Sequence, residues 1–304
     1  MPRMKITLLF TLVITFALSA FAVVPNRKTS AAAVKTFDIY APLYRQHDIT
    51  LHLGLPFGTI DGSPNGSKSK VSGYLTRLGY AYGITDYISV YVIQNYQSTD
   101  QSQTNPTYAL KINGPGDTTL GIKSVISFDK PYFYYSASYK SALLDKAKVE
   151  GTATSGQQTS VTTRPDIAIS GGAGIPYSYF SFGALVAYHL LQDGDFESTT
   201  SGVKTTQKYR SGTGLDLKIY AQLELGWKLG VSYEEDKTDS YNIVTSGVSS
   251  VIKDSTYTAI TGYGIIPFGF ANEVLVGFSK FDNKEATTTK YDIYSITLAY
   301  RKIF

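Results

Sequence analysis

The chain of 304 residues has no cysteine, one tryptophan, two methionines and three histidines. Without cysteine there is neither a disulfide framework nor a thiolate metal site. The three imidazoles, His47, His52 and His189, lack the paired spacing that a metal centre needs, and neither metal nor cofactor is expected. Charged residues make up only 17% of the chain, against roughly a quarter in soluble domains. The formal charge of +4 contains no basic run, which argues against nucleic acid as a partner. Past the N-terminus no stretch approaches about 18 continuous apolar residues, so no further membrane-spanning helix is expected. Tyrosine (25), glycine (27) and phenylalanine (15) are abundant. So many aromatics exclude an intrinsically disordered chain.

Residues 1–22 carry Arg3 and Lys5, an apolar stretch from Ile6 to Leu18, and then Ala20-Phe21-Ala22. This charged, apolar, small-x-small order is that of a secretory signal peptide cleaved near Ala22. The competing reading is an uncleaved anchor. Thr11, Thr15 and Ser19 interrupt the apolar run, which is short for a helix crossing a core of about 30 Å. Export with no second helix leaves periplasm, outer membrane or medium.

From Ile49 onward the hydrophobic period is two. Ile49, Leu51, Leu53, Leu55 and Phe57 alternate with Thr50, His52, Gly54, Pro56 and Gly58. Leu223, Leu225, Trp227, Leu229, Val231 and Tyr233 alternate with Glu224, Gly226, Lys228, Gly230 and Ser232. Alternate side chains of a strand point to opposite faces, so each such stretch has one apolar face and one small or polar face. The pattern predicts strands at about 49–59, 71–82, 87–97, 116–128, 132–143, 166–175, 179–190, 211–220, 222–234, 255–266, 270–281 and 289–304. Their connections alternate long and short. The long ones are 60–70, 98–115, 144–165, 191–210, 235–254 and 282–288. The short ones are 83–86, 129–131, 176–178, a tight turn near Ala221, and 267–269. Long loops at one end and short turns at the other are the mark of an all-β, twelve-stranded antiparallel up-and-down transmembrane β-barrel in the bacterial outer membrane. Closure also satisfies every backbone group in lipid. Residues 49–304 are assigned to this barrel. Residues 23–48 are a lead segment, read as a periplasmic tail, a lumen plug or an irregular first turn.

Aromatics gather beside the short turns: Tyr80, Tyr82, Tyr87, Tyr132, Phe133, Tyr177, Tyr179, Phe180, Phe268 and Phe270. Rings of this kind suit the headgroup level, where lipid and lipopolysaccharide are the expected neighbours. Ordinary strand propensity is the competing explanation. The chain ends on Tyr294, Ile296, Leu298, Tyr300 and Phe304, all on one face. This is similar to the C-terminal strand by which outer-membrane barrels are recognised by the barrel assembly machinery.

Three stretches carry a wider resemblance. They are Gly116-Asp117-Thr118-Thr119-Leu120-Gly121-Ile122-Lys123, Tyr82-Gly83-Ile84-Thr85-Asp86-Tyr87-Ile88-Ser89, and the run from Pro131 to Lys140. Together they resemble the outer-membrane channel family named for the meta-pathway of phenol degradation, best over residues 74–143. The resemblance implies an exported barrel that takes up small aromatic or apolar compounds. The motifs are turn and strand signatures and carry no chemistry of their own.

The charges with inward parity are Arg77, Lys123, Lys140, Asp216, Lys218, Glu224, Lys228, Glu273 and Arg301. A Lys or Arg facing lipid at mid-depth costs about 2–4 kcal/mol, so a barrel must turn these inward. Such residues either pair with one another or line a path that selects a solute. Lys218 and Glu224, flanking the turn near Ala221, are expected to form a cross-strand pair. Arg77, Lys123 and Lys228 are expected near mid-strand without an acid in register, as a mildly cationic constriction. Tyr91 and Tyr134 are expected to supply its aromatic walls. Twelve strands give a narrow lumen suited to small solutes.

Catalysis is not expected. His189 is placed near the external end of its strand with the ring inward. His52 is inward on the first strand. Neither sits in a His-x-Ser arrangement, and the sequence shows no acid placed to orient them. Gly114-Pro115-Gly116-Asp117 is not a phosphate loop, since no Gly-Lys-Ser/Thr and no helix follow. The alternative to a channel is a surface-binding or structural barrel, with loops 144–165, 191–210 and 235–254 long enough to hold a partner.

Overall fold

The structure is a computed structural model, and it describes residues 42, 45–62, 67–104, 107–127, 131–141, 148–152, 154–158, 164–267, 272–283 and 289–304. Residues 1–22, expected to be a signal peptide, and most of residues 23–48 lie outside the described residues, as do Phe268 and Phe270. The strands are β1 His47–Gly62, β2 Ser67–Gly83, β3 Ile88–Thr104, β4 Tyr108–Ser127, β5 Tyr132–Ser141, β6 Lys148–Gly151, β7 Ser155–Gln158, β8 Asp166–Tyr177, β9 Phe180–Leu191, β10 Gly194–Thr200, β11 Val203–Tyr209, β12 Gly212–Glu224, β13 Lys228–Thr238, β14 Tyr241–Thr245, β15 Val248–Ile252, β16 Ser255–Pro267, β17 Asn272–Asn283 and β18 Thr289–Ile303. Twelve of them (β1–β5, β8, β9, β12, β13 and β16–β18) each pair antiparallel with the next, and β18 pairs back onto β1. The barrel is closed, and the expected strand number and topology hold.

Burial runs opposite to that of a soluble protein. Exposed side chains of the barrel strands include Leu51, Leu78, Leu120, Phe182, Ile219, Leu229, Val231, Ile260, Val276, Ile296 and Leu298, all on outward parity. Buried ones include Ser89, Ser127, Asp166, Gln222, Lys228, Ser232, Ser279 and Arg301. A wall that shows oil outward and hides charge inward is stable only when hydrocarbon surrounds it.

The short-turn end is closed by local chemistry. Thr85 Oγ1 accepts from the amides of Tyr87 (3.2 Å) and Ile88 (3.0 Å), holding the turn between β2 and β3. Gly226, at φ 82°, allows the tight reversal between β12 and β13. That turn spans 225–227, with Leu225 N donating to Trp227 O at 2.8 Å, and not the neighbourhood of Ala221 as expected. Ala221 is mid-strand and pairs with Val231. The outward period of two runs unbroken from Leu223 to Val231, so the apolar pattern alone could not place the reversal. The start of β1 and the end of β18 meet at the same end of the barrel. Phe304 N donates to His47 O at 3.0 Å, His47 N donates to Phe304 O at 2.7 Å, and the two rings stack 5.4 Å apart.

At the opposite end the expected loops are largely sheet. Stretches 60–70 and 98–115 are mostly the upper parts of β1–β4. The connections 144–165, 191–210 and 235–254 carry hairpins: β6–β7, β10–β11 and β14–β15. These join edge to edge, β4 to β7, β6 to β10 and β11 to β14, so the wall rises above the barrel as one curved sheet. Arg164 fastens it, donating to Arg210 O at 3.1 Å and lying 4.1 Å over the Tyr241 ring.

Aromatics do ring the short-turn end, where Tyr80, Tyr177, Tyr179 and Phe180 are exposed. Tyr132 departs from the expected girdle. It is 1% exposed and points inward, because it shares parity with Tyr134 and Ser136. A second set stacks outward at the other end: Phe57 on Tyr294 (5.8 Å), Phe278 on Tyr294 (5.6 Å) and Tyr74 on Tyr96 (6.3 Å).

Candidate functional site: the barrel lumen

The lumen is packed near the short turns and open above them. Val125, Tyr132 and Tyr220 form one buried cluster, with Tyr134 and Leu185 against it. Ile265 and Ala299 form a second, with Tyr263 and Leu275. Four inward tyrosines lie across glycines directly opposite on the neighbouring strand: Tyr91 on Gly121, Tyr132 on Gly174, Tyr220 on Gly183 and Tyr263 on Gly230. A Cβ at Gly174 would stand 2.1 Å from the Tyr132 ring, so the ring lies flat only because the partner has no side chain. The Tyr132 and Tyr220 hydroxyls touch, joining β5 to β12 across the interior.

Above this layer lies a cavity of about 520 Å³. One side is polar: His52, Arg77, Asn95, Gln97 and Asp117 from β1–β4. The other is apolar and hydroxylic: Tyr263, Ile265, Leu275, Phe281, Ser279 and Thr297 from β16–β18. A β-bulge shapes the polar side. Register shifts between Gln94 and Tyr96, so that Gly116 and Asp117 of β4 stand opposite the single Asn95 of β3. Gln94 Nε2 donates to Asn95 O at 2.7 Å, and Asn95 Nδ2 donates to Asp117 O at 3.3 Å. Arg77 Nε donates to Asn95 Oδ1 at 3.4 Å. The Gly114-Pro115-Gly116 run, read from sequence as the end of a loop, lies inside β4 at this bulge.

Most of the inward charges are paired. Lys218 Nζ lies 2.8 Å from Glu234, not against Glu224 as expected. Lys218 and Glu224 share strand β12, whose residues pair with β13 and β9. Glu224 stands opposite Lys228 in register and accepts from Gln222 Nε2 at 2.8 Å. Lys228 opens β13 beside the short turn and is 8% exposed, so it is not the mid-strand member of a cationic ring. Lys123 lies 5.7 Å from the Tyr91 ring centroid, below the cavity. Arg301 is held by Glu273 (2.8 Å) and Asp48 (3.6 Å). Lys140 pairs with Asp166 at 3.2 Å. Tyr134 and Asp216 line a second cavity of about 320 Å³, which shares Leu185, Lys218 and Glu234 with the first. Of the three residues expected to form a cationic constriction, only Arg77 faces the main cavity.

His189 corrects another expectation. Two acids do orient it: Nδ1 meets Asp166 at 2.7 Å and Nε2 meets Asp216 at 3.0 Å. These carboxylates reach it from β8 and β12, out of sight of any local pattern. With both nitrogens against carboxylates the ring satisfies the site as an imidazolium donating twice, and neither nitrogen is left to take a proton from a nucleophile.

No family model matches the chain, and no curated protein matches its sequence. Solved structures do match. The crystal structure of an outer membrane channel from Pseudomonas putida F1 aligns with a TM-score of 0.61 at 11% identity, over 89% of this chain and all of that one. A mutant of the TodX monoaromatic hydrocarbon channel aligns at 0.48 and 9% identity, over 91% of this chain and 94% of that one. The translocator domain of the autotransporter NalP from Neisseria meningitidis aligns at 0.47 and 12% identity, over 84% and 88%. The first of these carries the comparison. The fold is that of an outer-membrane β-barrel, and the resemblance to an outer-membrane channel family holds at the level of structure.

Proposed function

We propose that the protein is an outer-membrane channel for passive entry of small solutes with aromatic or apolar bodies. The observation that carries this reading is the cavity of about 520 Å³ inside a closed barrel, walled on one side by Tyr263, Leu275 and Phe281 and on the other by Arg77 and amides. That volume suits a small ligand. The packed layer below it, centred on Tyr132 and Tyr220, makes the path narrow. The purified full chain in planar bilayers therefore carries a small, steady current. Replacing both Tyr132 and Tyr220 by Ala raises the unit conductance at least about twofold, since two rings leave a twelve-stranded lumen. Bilayers that stay silent with folded protein overturn the reading. They favour the alternative of a surface-binding barrel, for which the raised sheet and its exposed Val203, Val248 and Val251 speak.

A further inference from the structure

Arg77 stands apart from the other inward cations. Lys140, Lys218 and Arg301 each lie within 3.2 Å of a carboxylate. Lys123 lies against the Tyr91 ring, and Lys228 is buried beside the short turn opposite Glu224. Arg77 is exposed, lines the main cavity, and has no carboxylate at ion-pair distance among the described residues. Its neighbours in register are His52 on β1 and Asn95 on β3, neither of them acidic. Its Nε donates to Asn95, which leaves the two terminal nitrogens of the guanidinium. A guanidinium presents a fork matched to a planar carboxylate. The neighbouring inward position on β2 is Leu75, exposed to the same cavity, and Tyr263 and Leu275 lie on its other side.

Two acids also line this cavity. Glu234 is already paired with Lys218 at 2.8 Å. Asp117 lies in the same row as Arg77 but two strands away, about 10 Å at the usual strand spacing. Its Oδ1 is shut off from solvent.

We infer that the cavity is a binding site for a small monocarboxylate with an apolar body, whose carboxylate docks on Arg77 beside Asn95 while the body lies against Leu75, Tyr263 and Leu275. The inference rests on the channel reading for its biological sense, but binding is measured apart from conduction. The test is titration calorimetry on the full chain in detergent micelles at neutral pH, with heats into protein-free micelles subtracted. The probes share one ring: benzoate, neutral benzyl alcohol and cationic benzylamine. Wild-type protein binds benzoate best. Arg77→Gln weakens benzoate about tenfold or more and leaves benzyl alcohol unchanged, as loss of a charge-assisted pair requires. Arg77→Lys falls between, keeping the charge and losing the fork. Heat-modifiable migration in gels checks that each variant is folded. If Arg77→Gln does not fold, the ranking of the three probes on wild type still decides. Benzoate binding no tighter than benzyl alcohol, equal binding in folded Arg77→Gln, or preference for benzylamine each overturns the inference. A current that ignores benzoate defeats the carboxylate site alone. Benzoate binding without any current defeats the channel alone.

Discussion

Arg301 shows what a single residue can do where the barrel closes. Its side chain is 2% exposed and sits between Glu273 of β17 and Asp48 of β1, so three strands share one guanidinium at the seam. Breaking a buried ionic group from one side leaves charge without compensation, which costs about 3–5 kcal/mol. Arg301→Ala is therefore expected to lower stability by that amount in urea unfolding of lipid-reconstituted protein, and an unchanged midpoint contradicts the role. The inward direction of Arg301, Lys140 and His189 was legible from parity alone. Their partners were not. Asp166 meets Lys140 and His189 only because β5, β8 and β9 adopt one register, and register belongs to the pairing of distant strands. The same limit explains the misassigned partner of Lys218. Parity placed it correctly inside, and a displaced turn assigned it the wrong acid.

Among the elements, the barrel strands were easy to read and the raised hairpins were missed. Both β10–β11 and β14–β15 turn on a Ser-Gly pair with positive φ, Ser201-Gly202 and Ser246-Gly247. Each pair follows threonine and precedes valine, the two-residue signal of a tight hairpin. Their Ser/Thr-rich composition resembles solvated loop, and their strands are short, five to seven residues. Similarly, Gly114-Pro115-Gly116 reads as a loop although proline and glycine inside a strand also mark a bulge. The raised sheet depends on contacts between loops. Arg164 bonds the carbonyl of Arg210 and covers Tyr241, so one side chain ties three connections. Burial holds the Tyr209 hydroxyl beside it above its ordinary pKa. Arg164→Ala is expected to speed cleavage of intact cells' surface loops by added protease several-fold, with fragments ending in 142–165 or 239–254. Unchanged cleavage rates would show that the strand pairings hold the wall without it.

The whole molecule is one inversion: apolar side chains outside, polar ones inside, and a waist of tyrosines on glycines beneath an open cavity. The first two features follow from period two and low charge. The waist needs strands to be laid side by side before each ring can find its glycine. Because the chain has no cysteine, a single introduced thiol reports its own surroundings without background. Thr297 and Leu298 are neighbours on β18; the first lines the cavity and the second is 42% exposed on the outward face. The decisive measurement is labelling of Thr297→Cys and Leu298→Cys in proteoliposomes by a charged maleimide that does not cross lipid. An inside-out barrel gives rapid labelling at 297 and almost none at 298. Labelling at 298 with protection at 297 would contradict it.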